Sequence, residues 1–215
     1  MNGKAKTGFA HRLVVMVKEP RAGQVKTRLA RGIGAVRATQ FYRHTTAAVL
    51  SRVTRPGEWQ TILAVAPDAT RRSHAWPAHL ARIPQGGGDL GARMQRVMDE
   101  LPPGPVLIIG SDIPGICAEH IRAAFRALGK NDAVLGPAPD GGYWLVGLKR
   151  FPRVPRAFGN VRWSSEHALA DTERNLTGLS GTRLCVLEDI DEAEDFERAG
   201  HDHGRRVRLL GGIAI

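Results

Sequence analysis

The sequence predicts an α/β fold: a single domain built on a mixed, mostly parallel sheet of Rossmann-like character, flanked by helices. Three observations predict it. Apolar runs such as Leu13 to Val17 and Val106 to Ile109 are continuous rather than alternating, as in strands buried on both faces of a parallel sheet. Strand-like and helix-like segments alternate along the chain. Glycine, proline and charge gather directly after the strands, at the edge where open α/β sheets bind their ligands.

Taken in order, residues 1–11 show no periodicity and read as a leader. Leu13 to Val17 is the first strand, followed by a cation-studded loop from Lys18 to Leu29. Ala38, Phe41, Thr45, Ala48, Val49 and Val53 recur at helical spacing, and Pro56-Gly57 ends that helix. Thr61 to Ala66 is the second strand, after which Asp68 is placed to cap a short helix towards Trp76. Arg82 to Pro84 makes a short strand. Gln85 to Gly91 then opens a helix with the stripe Leu90, Met94, Val97, Met98 and Leu101, broken by Pro102-Pro-Gly-Pro105.

The central strand, Val106 to Ile109, stops at Gly110-Ser-Asp-Ile-Pro114. Ile121, Ala124, Phe125 and Leu128 mark the next helix, closed by Gly129. Ala133 to Leu135 and Trp144 to Leu148 are extended, and Asp140-Gly141 between them also fits a hairpin turn. A serine of Trp163-Ser164-Ser165 is expected to cap a helix through Leu176. Arg183 to Leu187 is the last strand. Asp189-Ile-Asp191 comes next, with Asp191 and Glu194 spaced like a capping box before an acidic helix to Ala199. The expected domain therefore runs over 12–200, with 201–215 as a tail, and no linker divides it.

Length and composition narrow the function. At 215 residues one core is expected. No apolar run reaches the length of a membrane span, and no signal segment follows Met1. Cys117 and Cys185 lack metal-site spacing and read as free or buried thiols of a cytoplasmic protein. The formal charge of +10 raises nucleic acid as a partner. The Lys and Arg residues are scattered, however, and no nucleic-acid motif accompanies them. Anionic small molecules are the expected partners instead. The sequence is silent on oligomeric state.

Chemistry concentrates in four loops. The first carries Lys18, Arg21, Lys26 and Arg28 around Gly23, a turn entering a helix, which suits a pyrophosphate. Val25 before Lys26-Thr27 excludes a Walker A loop. The second, with Gln85, Gly88, Leu90 and Gly91, is a glycine run that would let a ligand approach the main chain, with Gln85 able to read a base edge. A plain surface turn explains that run equally well. The third puts Asp112 at the end of the central strand; the fourth is Asp140-Gly141-Gly142-Tyr143. A basic cradle facing carboxylates is what a nucleotide with Mg²⁺ requires. His201-Asp-His203 reads as a solvated turn rather than a metal site.

Together the segments Pro20-x-x-Gly23-x-x-Lys26-Thr27-Arg28-Leu29, Gln85 to Met94, Gly110-Ser-Asp-Ile-Pro114, Gly136 to Tyr143, Trp163-Ser164 and Asp189-Ile-Asp191 resemble one bacterial family. It is the glycosyltransferase-like family DUF2064, often described as radical-SAM/selenodomain-associated or arsenosugar-biosynthesis transferases. The resemblance runs from about Leu13 to Ala199. It implies the GT-A fold of nucleotide-diphospho-sugar transferases, with Mg²⁺ or Mn²⁺ as cofactor. Lys26-Thr-Arg-Leu29 and Asp189-Ile-Asp191 are also similar to phospholactate guanylyltransferases. On this reading Lys26, Asp112 and Asp140 carry catalysis, and Lys18, Gly23, Arg28 and the Gln85 to Gly91 loop hold the nucleotide. Gly141, Gly142, Tyr143 and Trp163 would face a small-molecule acceptor, and Asp112 with Asp191 the metal. The central motif offers Asp112 alone rather than Asp-x-Asp. Glycosyl transfer from a nucleotide sugar is the expected reaction. Nucleotidyl transfer from an NTP is the second, and a non-catalytic nucleotide or nucleic-acid binder the third.

Overall fold

A computed structural model describes residues 9–188. Seven strands form one sheet: β1 (Arg12–Lys18), β2 (Gln60–Ala66), β3 (Ala81–Pro84), β4 (Val106–Ile109), β5 (Ala133–Pro137), β6 (Tyr143–Leu148) and β7 (Gly181–Arg183). Their order is β3-β2-β1-β4-β6-β5-β7. The first four are mutually parallel, and β6 runs antiparallel to both neighbours. The mixed, mostly parallel sheet expected from the sequence is therefore present.

The continuous apolar runs are explained by two-sided burial. Along β1, Leu13, Val15 and Val17 join the core on one face while Val14 joins the other. All four residues of β4 are at most 3% exposed. Burying each such side chain is worth about 1.5–3 kcal/mol, so a polar residue has no place in these runs.

Among the described residues five α-helices cover the sheet: α1 (Thr27–Ile33), α2 (Ala35–Val53), α3 (Leu90–Glu100), α4 (Ala118–Leu128) and α5 (Ala168–Asn175). Helices α2 and α4 pack on the face with Val15, through Val49, Leu50, Ile121 and Phe125. Helix α3 packs on the opposite face through Met94, Val97 and Met98.

Several local expectations are corrected. The buried stripe of α2 includes Tyr42, Thr46 and Leu50, whereas Ala48 is exposed and Phe41 half-buried. The other expected residues, Ala38, Thr45, Val49 and Val53, are buried, so the stripe is broader than the spacing predicted and set slightly to one side of it. Leu90 does not join the core of α3; it is 46% exposed. No serine caps α5, whose N-cap is His167. Ser165 instead donates to the Arg162 carbonyl at 2.7 Å and supports a turn. The last strand among the described residues is Gly181–Arg183, shorter and earlier than expected.

The chain leaves β1 outward to β2 and β3, then returns to β4 on the other side of β1. That reversal opens a crevice beyond the carboxyl ends of β1 and β4. The loops beginning at Lys18 and Gly110 meet there.

Candidate functional site

The basic loop after β1 does not wave in solvent. Lys26, the N-cap of α1, takes a left-handed backbone (φ 45°, ψ 50°). Its ammonium, with the side chain only 3% exposed, lies 2.9 Å from Asp112 Oδ2. Asp112 is therefore not the cap of α4, which is Cys117. Lysine and aspartate from two loops far apart in sequence thus meet across the crevice.

Beneath them, three groups form a chain that sequence reasoning missed. The Lys18 N–H donates to the Tyr42 hydroxyl at 2.9 Å, and that hydroxyl is 3.1 Å from Ser111 Oγ. Burial raises the Tyr42 pKa, so its phenol stays protonated at neutral pH. It ties the start of the cationic loop to the residue before Asp112. Tyr42 carried no signal of this role, because a half-apolar ring on a helix face reads as core.

The glycine-rich loop is held from both sides. Gln85 is buried at 5% exposure, and its amide nitrogen donates to the carbonyls of Val17 (3.0 Å) and Ala64 (2.8 Å). Those donors hold β1 to β2 and so are engaged within the sheet. The Gly86 N–H donates to Asp68 Oδ1 at 3.0 Å, and Arg96 donates to the carbonyls of Gln85 and Gly87. Asp89 caps α3 by accepting from the Ala92 N–H at 2.8 Å.

The glycines of this loop serve different ends. Gly88 has φ +97°, and Gly91 lets α3 approach the Phe158 carbonyl and the Trp163 ring, which a Cβ would meet at 2.6 and 2.8 Å. Gly87 faces open space. It is the place in the run where a ligand can reach main chain unhindered. Gly23, at φ +76°, is likewise open.

A cleft of about 260 Å³ continues from Gly110. Arg28, Leu90, Asp140, Gly142, Tyr143 and Trp163 line it. The exposure of Leu90 is thereby accounted for, since it forms a wall of the cleft rather than a core contact. Asp140 Oδ1 accepts from the Gly142 N–H at 2.9 Å, inside the tight turn that joins β5 to antiparallel β6. The hairpin reading of that segment is met, and Asp140 and Gly142 also line the cleft. Gly141 (φ +81°) packs against the Glu166 main chain rather than facing the cleft. Burial keeps the Tyr143 phenol protonated, and its hydroxyl is hydrogen-bonded to Thr172 at 3.2 Å.

The wall with Trp163, Ser164 and Ser165 is fixed by a carboxylate that sequence reasoning overlooked. Asp171, 2% exposed, accepts from the Arg162 main chain (3.1 Å), from the Arg162 guanidinium (2.8 and 2.9 Å) and from Arg174 (2.8 Å). Those donors, Arg162 foremost, depress its pKa below the usual carboxylate range. Ser164 is exposed, with φ 57°. Only the Asp171–Arg174 spacing of three was readable in advance.

Asp189 and Asp191 lie outside the described residues. Among the described residues no group of three or more His, Cys, Asp or Glu side chains converges as a metal cage. Cys117 and Cys185 are free thiols. No described helix is long and apolar enough to cross a membrane.

The sheet order, with a cation-bearing loop facing a carboxylate at its switch point, defines a fold of the nucleotide-diphospho-sugar transferase type. A solved structure from Desulfovibrio desulfuricans G20, provisionally named a nucleotide-diphospho-sugar transferase, is 31% identical with a TM-score of 0.77, over 86% of this chain and 84% of that one. The chain belongs to the family described as "Uncharacterized protein conserved in bacteria (DUF2064)", whose model matches residues 49–165. Two more distant structures share the fold. Rv0371c of Mycobacterium tuberculosis H37Rv, solved in complex with manganese, is 16% identical with a TM-score of 0.53, over 89% of this chain and 98% of that one. The 4-diphosphocytidyl-2C-methyl-D-erythritol synthase of Anaerococcus prevotii DSM 20548 is 12% identical with a TM-score of 0.56, over 91% and 98%. No curated protein matches the sequence.

Proposed function

We propose that the protein is a transferase that takes a nucleotide-diphospho-sugar and passes the glycosyl group to a small uncharged acceptor. The observation that carries this reading is the Lys26–Asp112 pair at the switch point, 2.9 Å apart, with Arg28 two residues beyond Lys26 in the chain. An ammonium already lodged against the carboxylate supplies both partners a nucleotide complex needs, a cation for phosphate and an anion for metal. Lys18, Gly23 and the main chain at Gly87 and Gly88 complete the nucleotide side.

Metal dependence fits the donor set. Mg²⁺ is commonly held by one or two carboxylates plus substrate phosphates, with water filling the rest. Asp112 would be the first of these carboxylates, and Asp191 is proposed as the second. Bound there, Mg²⁺ or Mn²⁺ would neutralise charge on the diphosphate oxygens.

In the reaction, the acceptor hydroxyl attacks the anomeric carbon. The bond from that carbon to the diphosphate oxygen breaks, its electron pair leaving with the nucleoside diphosphate. The hydroxyl proton passes to a carboxylate, for which Asp140 at the cleft is the candidate base. Lys26 and Arg28 stabilise the charge that builds on the leaving group. Tyr143 and Trp163 offer ring surface to the acceptor, and Arg28 is the one cation among the described residues lining that cleft. A phosphorylated acceptor would call for more, and that favours an uncharged one. Nucleotidyl transfer stays the second reading because the cation density of the Lys18 to Arg28 loop would equally suit a triphosphate.

The test is thermal stabilisation across nucleotides and nucleotide sugars, with and without Mg²⁺ or Mn²⁺. A ligand bound at a hundred times its Kd raises stability by about 2.7 kcal/mol. The wild type should gain this in a metal-dependent way, and Asp112→Ala, still folded, should not. An equal metal-dependent gain in Asp112→Ala would remove Asp112 from the metal site.

A further inference from the structure

A second concavity, about 990 Å³, opens on the α2 face of the sheet, away from the cleft of about 260 Å³. One wall is α2 and the other is the segment from His74 to Leu80, with Trp76 and Leu50 buried at its base. The polar groups that line it are one-sided. Arg43, His44, His74 and His79 are present, and no Asp or Glu is among the described lining residues.

The second wall is prebuilt. Arg82, on β3, donates to the main-chain carbonyls of Arg71, Ser73, Trp76 and Pro77 at 2.9 to 3.3 Å. Two carbonyl oxygens of this wall, those of Trp76 and Pro77, are thereby turned to the arginine. Trp76 itself is 4% exposed, and its indole N–H has no acceptor among the described residues. A groove that gathers an arginine and three histidines, shows no carboxylate among its described lining residues and is floored by apolar surface is complementary to an anion carried on an apolar body.

We infer that this groove is a second ligand site, for an organic anion in which a phosphate, sulfonate or carboxylate is joined to an aromatic or aliphatic body. It stands apart from the transferase reading and needs no residue of the Asp112 cleft. It borders that site only through Pro20 and Tyr42.

Calorimetric titration of the full chain with 2-naphthyl phosphate tests the inference. One saturable site is expected, with 2-naphthol and inorganic phosphate each binding at least tenfold more weakly. The double variant Arg43→Glu/His74→Glu should keep the thermal midpoint while weakening the probe at least tenfold. Lys26→Ala should leave this binding unchanged. No saturable binding, equal affinity for 2-naphthol, or full affinity in the double variant would overturn the inference. Loss of binding in Lys26→Ala would also overturn it, because the probe would then sit in the cleft of Asp112.

Discussion

Lys26 illustrates how much a single residue is constrained here. A left-handed backbone costs a non-glycine residue about 1–2 kcal/mol, and this one also buries its ammonium against Asp112. Such strain persists where surrounding contacts fix it, and it concentrates at functional sites. If the ammonium serves phosphate, Lys26→Ala should weaken nucleoside diphosphates by about 1.5–3 kcal/mol, the range of a charge-assisted hydrogen bond. The corresponding nucleoside should be unaffected in the same titration. Equal losses for both would assign Lys26 to holding the loop alone. The glycine run separates in the same manner. Gly91→Ala would drive a methyl into the Phe158 carbonyl and the Trp163 ring, and urea denaturation should show a loss of about 1–3 kcal/mol, as for overpacking. Gly87→Ala meets nothing within 4 Å and should unfold like the wild type while binding nucleotide less well.

At the scale of elements, the fully buried strands were legible and long-range side-chain pairings were not. Val106 to Ile109 announces itself because burial on both faces permits only apolar residues. Asp112 was legible from the same run, since a strand that stops at Gly110 must present its next few residues at the sheet edge. The pairing of Asp171 with Arg162 was invisible, because Arg162 lies nine residues earlier in an irregular segment and no helical or strand spacing links them. The place of Gln85 in the sheet was hidden for a similar reason. Its partners, Val17 and Ala64, are brought to it only by sheet pairing. The Asp171 clamp carries a pH signature. Its folded pKa is depressed, so its stabilisation is present above the unfolded carboxylate value of about 3.9 and fades as pH falls through the folded one. Asp171→Asn should therefore lower the thermal midpoint at pH 7 by several degrees. The gap to wild type should narrow below about pH 4. A gap of constant size from pH 7 to pH 3 would mean that the carboxylate charge is not what holds the Trp163 wall.

For the molecule as a whole, the excess of +10 finds a structural use. Arg12, Arg52, Arg55, Arg82, Arg96 and Arg150 spend their guanidinium groups on main-chain carbonyls. An arginine that staples carbonyls needs no carboxylate beside it, so such positions raise net charge without forming a basic face. Arg150 alone, buried at 4% exposure, holds the carbonyls of Leu101, Pro102 and Gly104, fastening the proline-rich turn before β4. Composition alone could not separate these staples from a phosphate-binding surface. Lys26 and Arg28, by contrast, stand at the crevice that the sheet order creates, where they are proposed to grip the diphosphate of a sugar donor. Incubation with panels of nucleotide sugars and NTPs, with Mn²⁺ and candidate acceptors, monitored separately for nucleoside diphosphate and pyrophosphate, tests this most directly. Acceptor-dependent release of nucleoside diphosphate from a nucleotide sugar is the predicted result. Acceptor-dependent release of pyrophosphate from an NTP, with every nucleotide sugar left intact, would contradict it.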